Sequence, residues 1–87
     1  MKYKVYILRT SSNSLYVGQT NNLEKRLKEH RDKKGKGAKY MRSFKSFELV
    51  YNETHPTRSK AIRREIELKK LSHFQKERLI KQNKLRI

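Results

Sequence analysis

Lys2-Tyr3-Lys4-Val5-Tyr6-Ile7-Leu8-Arg9, then Ser11-Ser12-Asn13-Ser14, then Leu15-Tyr16-Val17-Gly18-Gln19-Thr20 is the stretch on which the fold turns. From Lys2 to Arg9, Tyr3, Val5 and Ile7 alternate with Lys2, Lys4 and Tyr6, and β-branched and aromatic residues dominate, which predicts a strand. The Ser/Asn run is turn chemistry. Leu15 to Thr20 predicts a second strand, so the first twenty residues read as a β-hairpin. Gly18 weakens a strand unless it marks a bulge or a close approach of another group, and one of these is expected there.

Working outward, Asn21 followed three residues later by Glu24 resembles a capping box, and Leu23, Leu27 and His30 keep helical spacing to about Lys33. Lys33-Lys34-Gly35-Lys36-Gly37 breaks that helix and leads into a short segment, Ala38 to Phe44. Phe47 to Thr54 alternates again as a third strand, ended by His55-Pro56. Thr57 and Ser59 offer N-cap hydroxyls for a second helix to about Leu71. Ser72 with Gln75 opens a last helix carrying Phe74, Leu79 and Ile80, which trails into a basic tail. The order β-β-α-β-α-α gives an α+β fold, a small three-stranded antiparallel sheet flanked by helices. The expectation is one domain over 1–87, with its core at about 2–72 and a C-terminal helix and tail at 73–87.

Composition narrows the function. The 87 residues hold 24 Lys+Arg against 8 Asp+Glu, a net charge of +16, and no cysteine. A disulfide framework and thiolate zinc sites are excluded, so the fold stands on packing. No apolar run approaches the roughly 18 residues of a membrane span, and Val5 to Leu8 is too short for a signal peptide core. The expected location is the cytoplasm. Excess cation on so small a surface favours a polyanion through phosphate contacts and counterion release, and nucleic acid is the first reading.

Charged residues on apolar faces are more informative than the total. At 100° per residue, Ala61, Ile62, Ile66, Leu68 and Leu71 form one apolar arc, and Glu65 falls in its middle while Glu67 points away. A carboxylate there is costly unless paired, hydrogen-bonded or bound to metal; an ion pair and a functional role are about equally consistent with it. In the first helix Arg26 and His30 are i,i+4 neighbours flanking Leu23 and Leu27, whereas Lys25, Lys28 and Glu29 face solvent. Alone, Arg26 reads as surface charge, His30 as a hydrogen-bonded core histidine, and Tyr6 and Tyr16 as ordinary strand tyrosines. Together they supply the parts of a phosphodiesterase: a water activator, a cation for the charge developing on phosphate, and a carboxylate for a divalent metal.

The ordered set Lys4-Val5-Tyr6, Tyr16-Val17-Gly18, Arg26, His30 and Glu65 within Lys60-Ala61-Ile62-Arg63-Arg64-Glu65 resembles the GIY-YIG nuclease superfamily over roughly residues 2 to 72. The segment Gly35 to Tyr40 with Arg42, and Arg58-Ser59, looks most like its small stand-alone bacterial branch. The resemblance implies a metal-dependent endonuclease hydrolysing DNA, with 5′-phosphate and 3′-hydroxyl products. It makes Gly18 the motif glycine and assigns water activation to the Tyr6/Tyr16 pair, with Tyr6 favoured. It assigns phosphate stabilisation to Arg26, and tyrosine hydrogen bonding or proton relay to His30. Glu65 becomes the protein ligand of one Mg²⁺ or Mn²⁺. The first motif, Lys-Val-Tyr, lacks its namesake glycine. The 87 residues leave no room for a second module to choose targets, so substrate choice is expected to come from the domain itself, from a partner, or not at all; the substrate suggested is branched, nicked or flapped DNA.

The competing reading is a catalytically weak module that binds DNA or RNA through Lys33, Lys34, Lys36, Lys39, Arg42 and Lys45, with Tyr40 and Phe44 to stack on bases. Geometry provides a test. A plain four-residue turn centred on Ser12-Asn13 would set Arg9 opposite Tyr16 and put the two phenols on opposite sheet faces. A shared site therefore predicts an odd connection or a bulge, at the Ser-rich turn or at Gly18.

Overall fold

The computed structural model describes residues 2–32 and 46–84, with Lys84 by its backbone alone. Its elements are β1 (Tyr3–Thr10), β2 (Leu15–Thr20), α1 (Leu23–Asp32), β3 (Phe47–His55), α2 (Arg58–Lys70) and α3 (His73–Lys84). The predicted order β-β-α-β-α-α holds. The strands form one antiparallel sheet in the order β2-β1-β3, with β1 in the centre.

The hairpin connection is odd. Arg9 pairs with Leu15 and Leu8 with Tyr16. The Asn13 N–H donates to the Thr10 carbonyl (2.9 Å) and the Thr10 N–H to the Ser14 carbonyl (2.9 Å). Asn13 takes the left-handed conformation at φ 67°, which an asparagine tolerates better than most residues. Ser11-Ser12-Asn13 is thus a three-residue loop whose last member absorbs the extra residue. With this register Tyr6, Leu8 and Tyr16 share one face and Val5, Ile7 and Val17 the other. Gly18 stands directly across from Tyr6 in regular pairing, so it marks a close approach and not a bulge. The bulge lies elsewhere: Ile7 pairs with Tyr51 but Leu8 with Leu49, leaving Val50 as the extra residue of β3. Consecutive Val50 and Tyr51 are consequently both buried.

Each face has its own cover. Val5, Ile7, Val17, Val50 and Tyr51 pack with Ala61 and Leu68 of α2 and Ile80 of α3. On the other face Tyr6 and Leu8 pack with Tyr16, Phe47 and the α1 residues Leu23 and Leu27. The helix caps follow the sequence with one adjustment. For α1 the Asn22 side chain accepts from the Lys25 N–H (3.1 Å), so the cap is Asn22 and not Asn21. Thr57 caps α2 through the Lys60 N–H (3.2 Å). Ser72 and Gln75 bond reciprocally, at 3.1 and 2.9 Å, in a complete capping box at α3.

One apolar expectation needs correction, and one aromatic side chain of α3 stands outside the core. Ile66 is half exposed and Phe74 is 69% exposed. The stripe that α2 buries is narrower than the arc drawn from hydropathy: Ala61 and Leu68 are inside, with Glu65 between them. The α3 helix is anchored by Ile80 and Leu79, and Phe74 lies outside.

Candidate active site

The register brings two phenols and an imidazole together. Tyr6 is wholly buried and its ring reaches across the sheet toward β2. A Cβ on Gly18 would stand 2.6 Å from the Tyr6 Oη and 2.7 Å from its Cζ, so only glycine leaves room for the phenol in this position. The Tyr6 and Tyr16 rings are tilted with centroids 6.4 Å apart. His30 comes from the inward stripe of α1, three residues beyond Leu27, and stands edge-on to Tyr16 with centroids at 5.3 Å. Its Nε2 shares a hydrogen bond with the Tyr6 Oη at 3.0 Å. His30 is 1% exposed, and its Nδ1 has no partner among the described residues.

Electrostatics set the protonation of Tyr6 and His30. Burial pushes the Tyr6 phenol up to about 12, with the charge of Glu65 and the neighbouring Tyr16 adding to the rise and the Arg26 guanidinium opposing it. Burial likewise pulls the His30 imidazole down to about 4, helped by Arg26 and opposed by Glu29. At neutral pH the pair is a protonated phenol against a neutral imidazole. Burial pulls Arg26 downward, but its interactions with Tyr6 and Glu29 outweigh that, so its pKa lies above the ordinary arginine value.

Arg26 is one turn before His30 on the same stripe, its side chain only 14% exposed, and its Nη1 contacts Glu29 Oε1 at 3.3 Å. Glu29 is therefore half-buried and engaged, not the free surface charge expected of it. Arg26 and Glu29 also line an open cleft of about 490 Å³ with Lys25 and Arg58, at the end of the sheet where β1 begins and β2 stops. Tyr6, Tyr16, His30 and Glu65 do not line this cleft. Arg26 is the residue common to both.

Glu65 occupies the inward phase of α2, as its spacing predicted, with its side chain 19% exposed and Lys69 Nζ at 3.3 Å. That pair is an i,i+4 contact to a lysine more than half exposed, a weak restraint on the carboxylate. Glu65 stays available as an oxygen donor. Among the described residues no group of three His, Cys, Asp or Glu side chains converges, so no protein cage for a metal exists there. A single hard carboxylate fits a Mg²⁺-type ion that keeps its waters and takes further oxygens from a phosphate. The expected nucleic-acid contacts Lys33, Lys34, Lys36, Lys39, Tyr40 and Arg42, with Phe44 and Lys45, lie outside the described residues.

One cluster escaped the sequence reading. Glu53 accepts from the Tyr51 hydroxyl, meets His55 Nε2 at 2.7 Å, and takes the Arg64 Nε at 2.7 Å. Burial alone would raise the Glu53 carboxyl, but its three hydrogen-bond partners together hold it below the usual range. The signal was present, since Tyr51, Glu53 and His55 alternate on one face of β3. Arg64 ties that face to α2 immediately before Glu65.

Comparison with known proteins agrees with the fold. A family model described as the GIY-YIG catalytic domain matches residues 2–79. A UPF0213 protein of Staphylococcus haemolyticus is 43% identical over 93% of this chain and 96% of its own length. One from Bacillus licheniformis is 47% identical over 91% and 79%. The solution structure of a UPF0213 protein from Bacillus halodurans aligns with a TM-score of 0.60 at 41% identity, covering 93% of this chain and 84% of that one. A protein from E. faecalis aligns with a TM-score of 0.66 at 37% identity, covering 98% and 88%. The UPF0213 label states no activity. No helix among the described residues is long and apolar enough to cross a membrane.

Proposed function

The chain belongs to the GIY-YIG family, and from that premise we propose that it is an endonuclease that hydrolyses DNA phosphodiester bonds with the help of one divalent metal ion. The observation that carries this reading is the meeting of Tyr6, Tyr16 and His30 above Gly18, with Arg26 and Glu65 close enough to bias the Tyr6 phenol from either side.

The roles follow from protonation and access. Tyr6 is enclosed and holds its proton tightly, so its task is to fix His30 and the neighbouring ring. Tyr16 is only half-buried and is the member of the pair that a water can reach, which shifts the favoured base from Tyr6 to Tyr16. The water oxygen attacks phosphorus as the water's proton passes to the Tyr16 oxygen and the Tyr16 phenolic proton leaves to solvent, while the bond from phosphorus to the 3′ oxygen breaks and that oxygen takes up a proton from solvent. The ends are then a 5′-phosphate and a 3′-hydroxyl. Arg26 offsets the charge that grows on the phosphate oxygens, a role worth about 10²–10³ in rate for a well-placed donor. Glu65 would hold the Mg²⁺ or Mn²⁺. Such an ion supplies positive charge to the leaving oxygen.

Purified protein is assayed on nicked, flap, four-way-junction and linear DNA with Mg²⁺, Mn²⁺ or EDTA, beside Glu65→Gln, Arg26→Ala, Tyr16→Phe and Tyr6→Phe. Cleavage should require metal and fall at least 10²-fold in the first three, with Tyr6→Phe less affected. Binding without cleavage under any metal would favour the non-catalytic module. Glu65→Gln and Arg26→Ala cutting as well as wild type would refute the site.

A further inference from the structure

The cleft beside Arg26 is a feature that the catalytic reading leaves unused. It has a volume of about 490 Å³ and is walled by Tyr3, Gln19, Asn21, Lys25, Arg26 and Arg58, among others. Its one carboxylate among the described residues, Glu29, is held by Arg26. Lys25 and Arg58 are exposed and make no ion pair with any described residue. The cleft thus offers two uncommitted cations, side-chain amides that both donate and accept, and the ring of Tyr3. Fixed cations with an aromatic ring suit a phosphate carrying a base, as in grooves that track single strands. The volume suits one nucleotide, and a base pair flanked by its neighbours would not enter it. The cleft also shares Arg26 with the site, so a strand whose scissile phosphate met Arg26 would continue into it.

We propose that this cleft binds one unpaired nucleotide of a DNA strand next to the scissile phosphate, with Lys25 and Arg58 on its phosphate and Tyr3, Gln19 and Asn21 around its base. This rests on the catalytic reading for where the scissile phosphate lies, and it narrows the substrate to strands frayed, flapped or single-stranded beside the cut. Specificity for an unpaired nucleotide is thereby built into the domain itself.

The test measures binding apart from cleavage. Full-length protein carrying Glu65→Gln is titrated with a fluorescein-labelled oligothymidylate and with a blunt duplex of equal length across a salt series, with and without Lys25→Ala and Arg58→Ala. Both cations are exposed, so the fold should survive, and circular dichroism checks that it does. The single strand should bind more tightly than the duplex. The double variant should flatten its plot of log Kd against log salt by about 1.4, at roughly 0.7 per lost phosphate contact. In the unsubstituted cleft a thymidine dinucleotide should shift the Gln19 and Asn21 side-chain amide signals in ¹⁵N–¹H spectra. An unchanged salt slope, equal binding of duplex and single strand, or unmoved amides would overturn the proposal. A protein that passes these tests but never cleaves would sink the catalytic reading and leave the cleft standing.

Discussion

Gly18→Ala is the sharpest perturbation the fold offers, because one methyl group meets one named ring. The new Cβ would lie 2.6 Å from the Tyr6 Oη and 2.7 Å from Cζ, about 0.8 Å short of the 3.4 Å at which ordinary contact begins. An exposed phenol would swing aside. This one is wholly buried, packed by Tyr16, Leu23 and Leu27 and bonded to His30. Forcing an extra methyl into a packed core costs about 1–3 kcal/mol. In a domain of this size, 2 kcal/mol lowers Tm by about 8–16 °C. Displacing a ring by most of an ångström in the site should reduce cleavage about 10²-fold. Thermal unfolding followed by circular dichroism, and cleavage at saturating metal, read the two effects. Tyr6→Phe removes the nearest atom but strands His30, at about 1–3 kcal/mol. In the double variant the two costs should fall short of additive by more than 0.5 kcal/mol. A Gly18→Ala protein that melts with wild type, or a cycle that closes additively, would refute the contact.

Two further predictions concern pH and the Glu53 cluster. The folded-state pKa of His30, about 4, lies below its unfolded value of about 6.5. The unfolded chain then binds more protons between those values, so the stabilising effect is complete above pH 6.5 and is lost as pH falls toward 4. Tm measured from pH 8 to 4 should decline over that window, and His30→Phe should flatten the decline; an unaltered profile in the variant would refute the assignment. Glu53→Gln removes the carboxylate charge that the half-buried Arg64 meets at 2.7 Å and leaves Glu67, at 3.6 Å, as its carboxylate neighbour among the described residues. It should cost about 1–3 kcal/mol in urea unfolding. Because the folded Glu53 carboxyl titrates below its ordinary value, its contribution is present above about pH 4.5 and lost below it. The loss in the variant should therefore shrink on acidification.

What was legible in the chain depended on how local the determining physics is. An irregular hairpin was foreseeable because strand parity is a local rule: sharing a site between Tyr6 and Tyr16 demanded an odd connection or a bulge, and Asn13 supplied the residue able to take the former. Glu65 was legible because helical phase is equally local. Ile66 was misread by the same rule, since 100° per residue gives directions but not the width of stripe that a three-stranded sheet can cover. Asn21 and Asn22 are both good caps, and spacing alone does not choose between neighbours. The Val50 bulge, the Arg64–Glu53 bond and the cleft depend on segments far apart in sequence. Arg58 and Lys25 in particular are 33 residues apart, and nothing in either neighbourhood announces that they face one space.

The charge distribution explains how so basic a chain can house a site of low charge. Tyr6 is a neutral phenol and His30 a neutral imidazole at pH 7, and Arg26 is offset by Glu29. Within the enclosed part the cations and carboxylates nearly balance. Among the described residues the remaining cations lie at the periphery, in exposed groups such as Lys25 and Arg58, where salt screens them. Attraction of a polyanion and hydrolysis of its backbone then draw on different residues. Had His30 kept its ordinary pKa, acidification would have set a second cation beside Arg26 in the core. Burial against Tyr6 prevents that down to about pH 4, and the Nδ1 of that uncharged imidazole has no hydrogen-bond partner among the described residues.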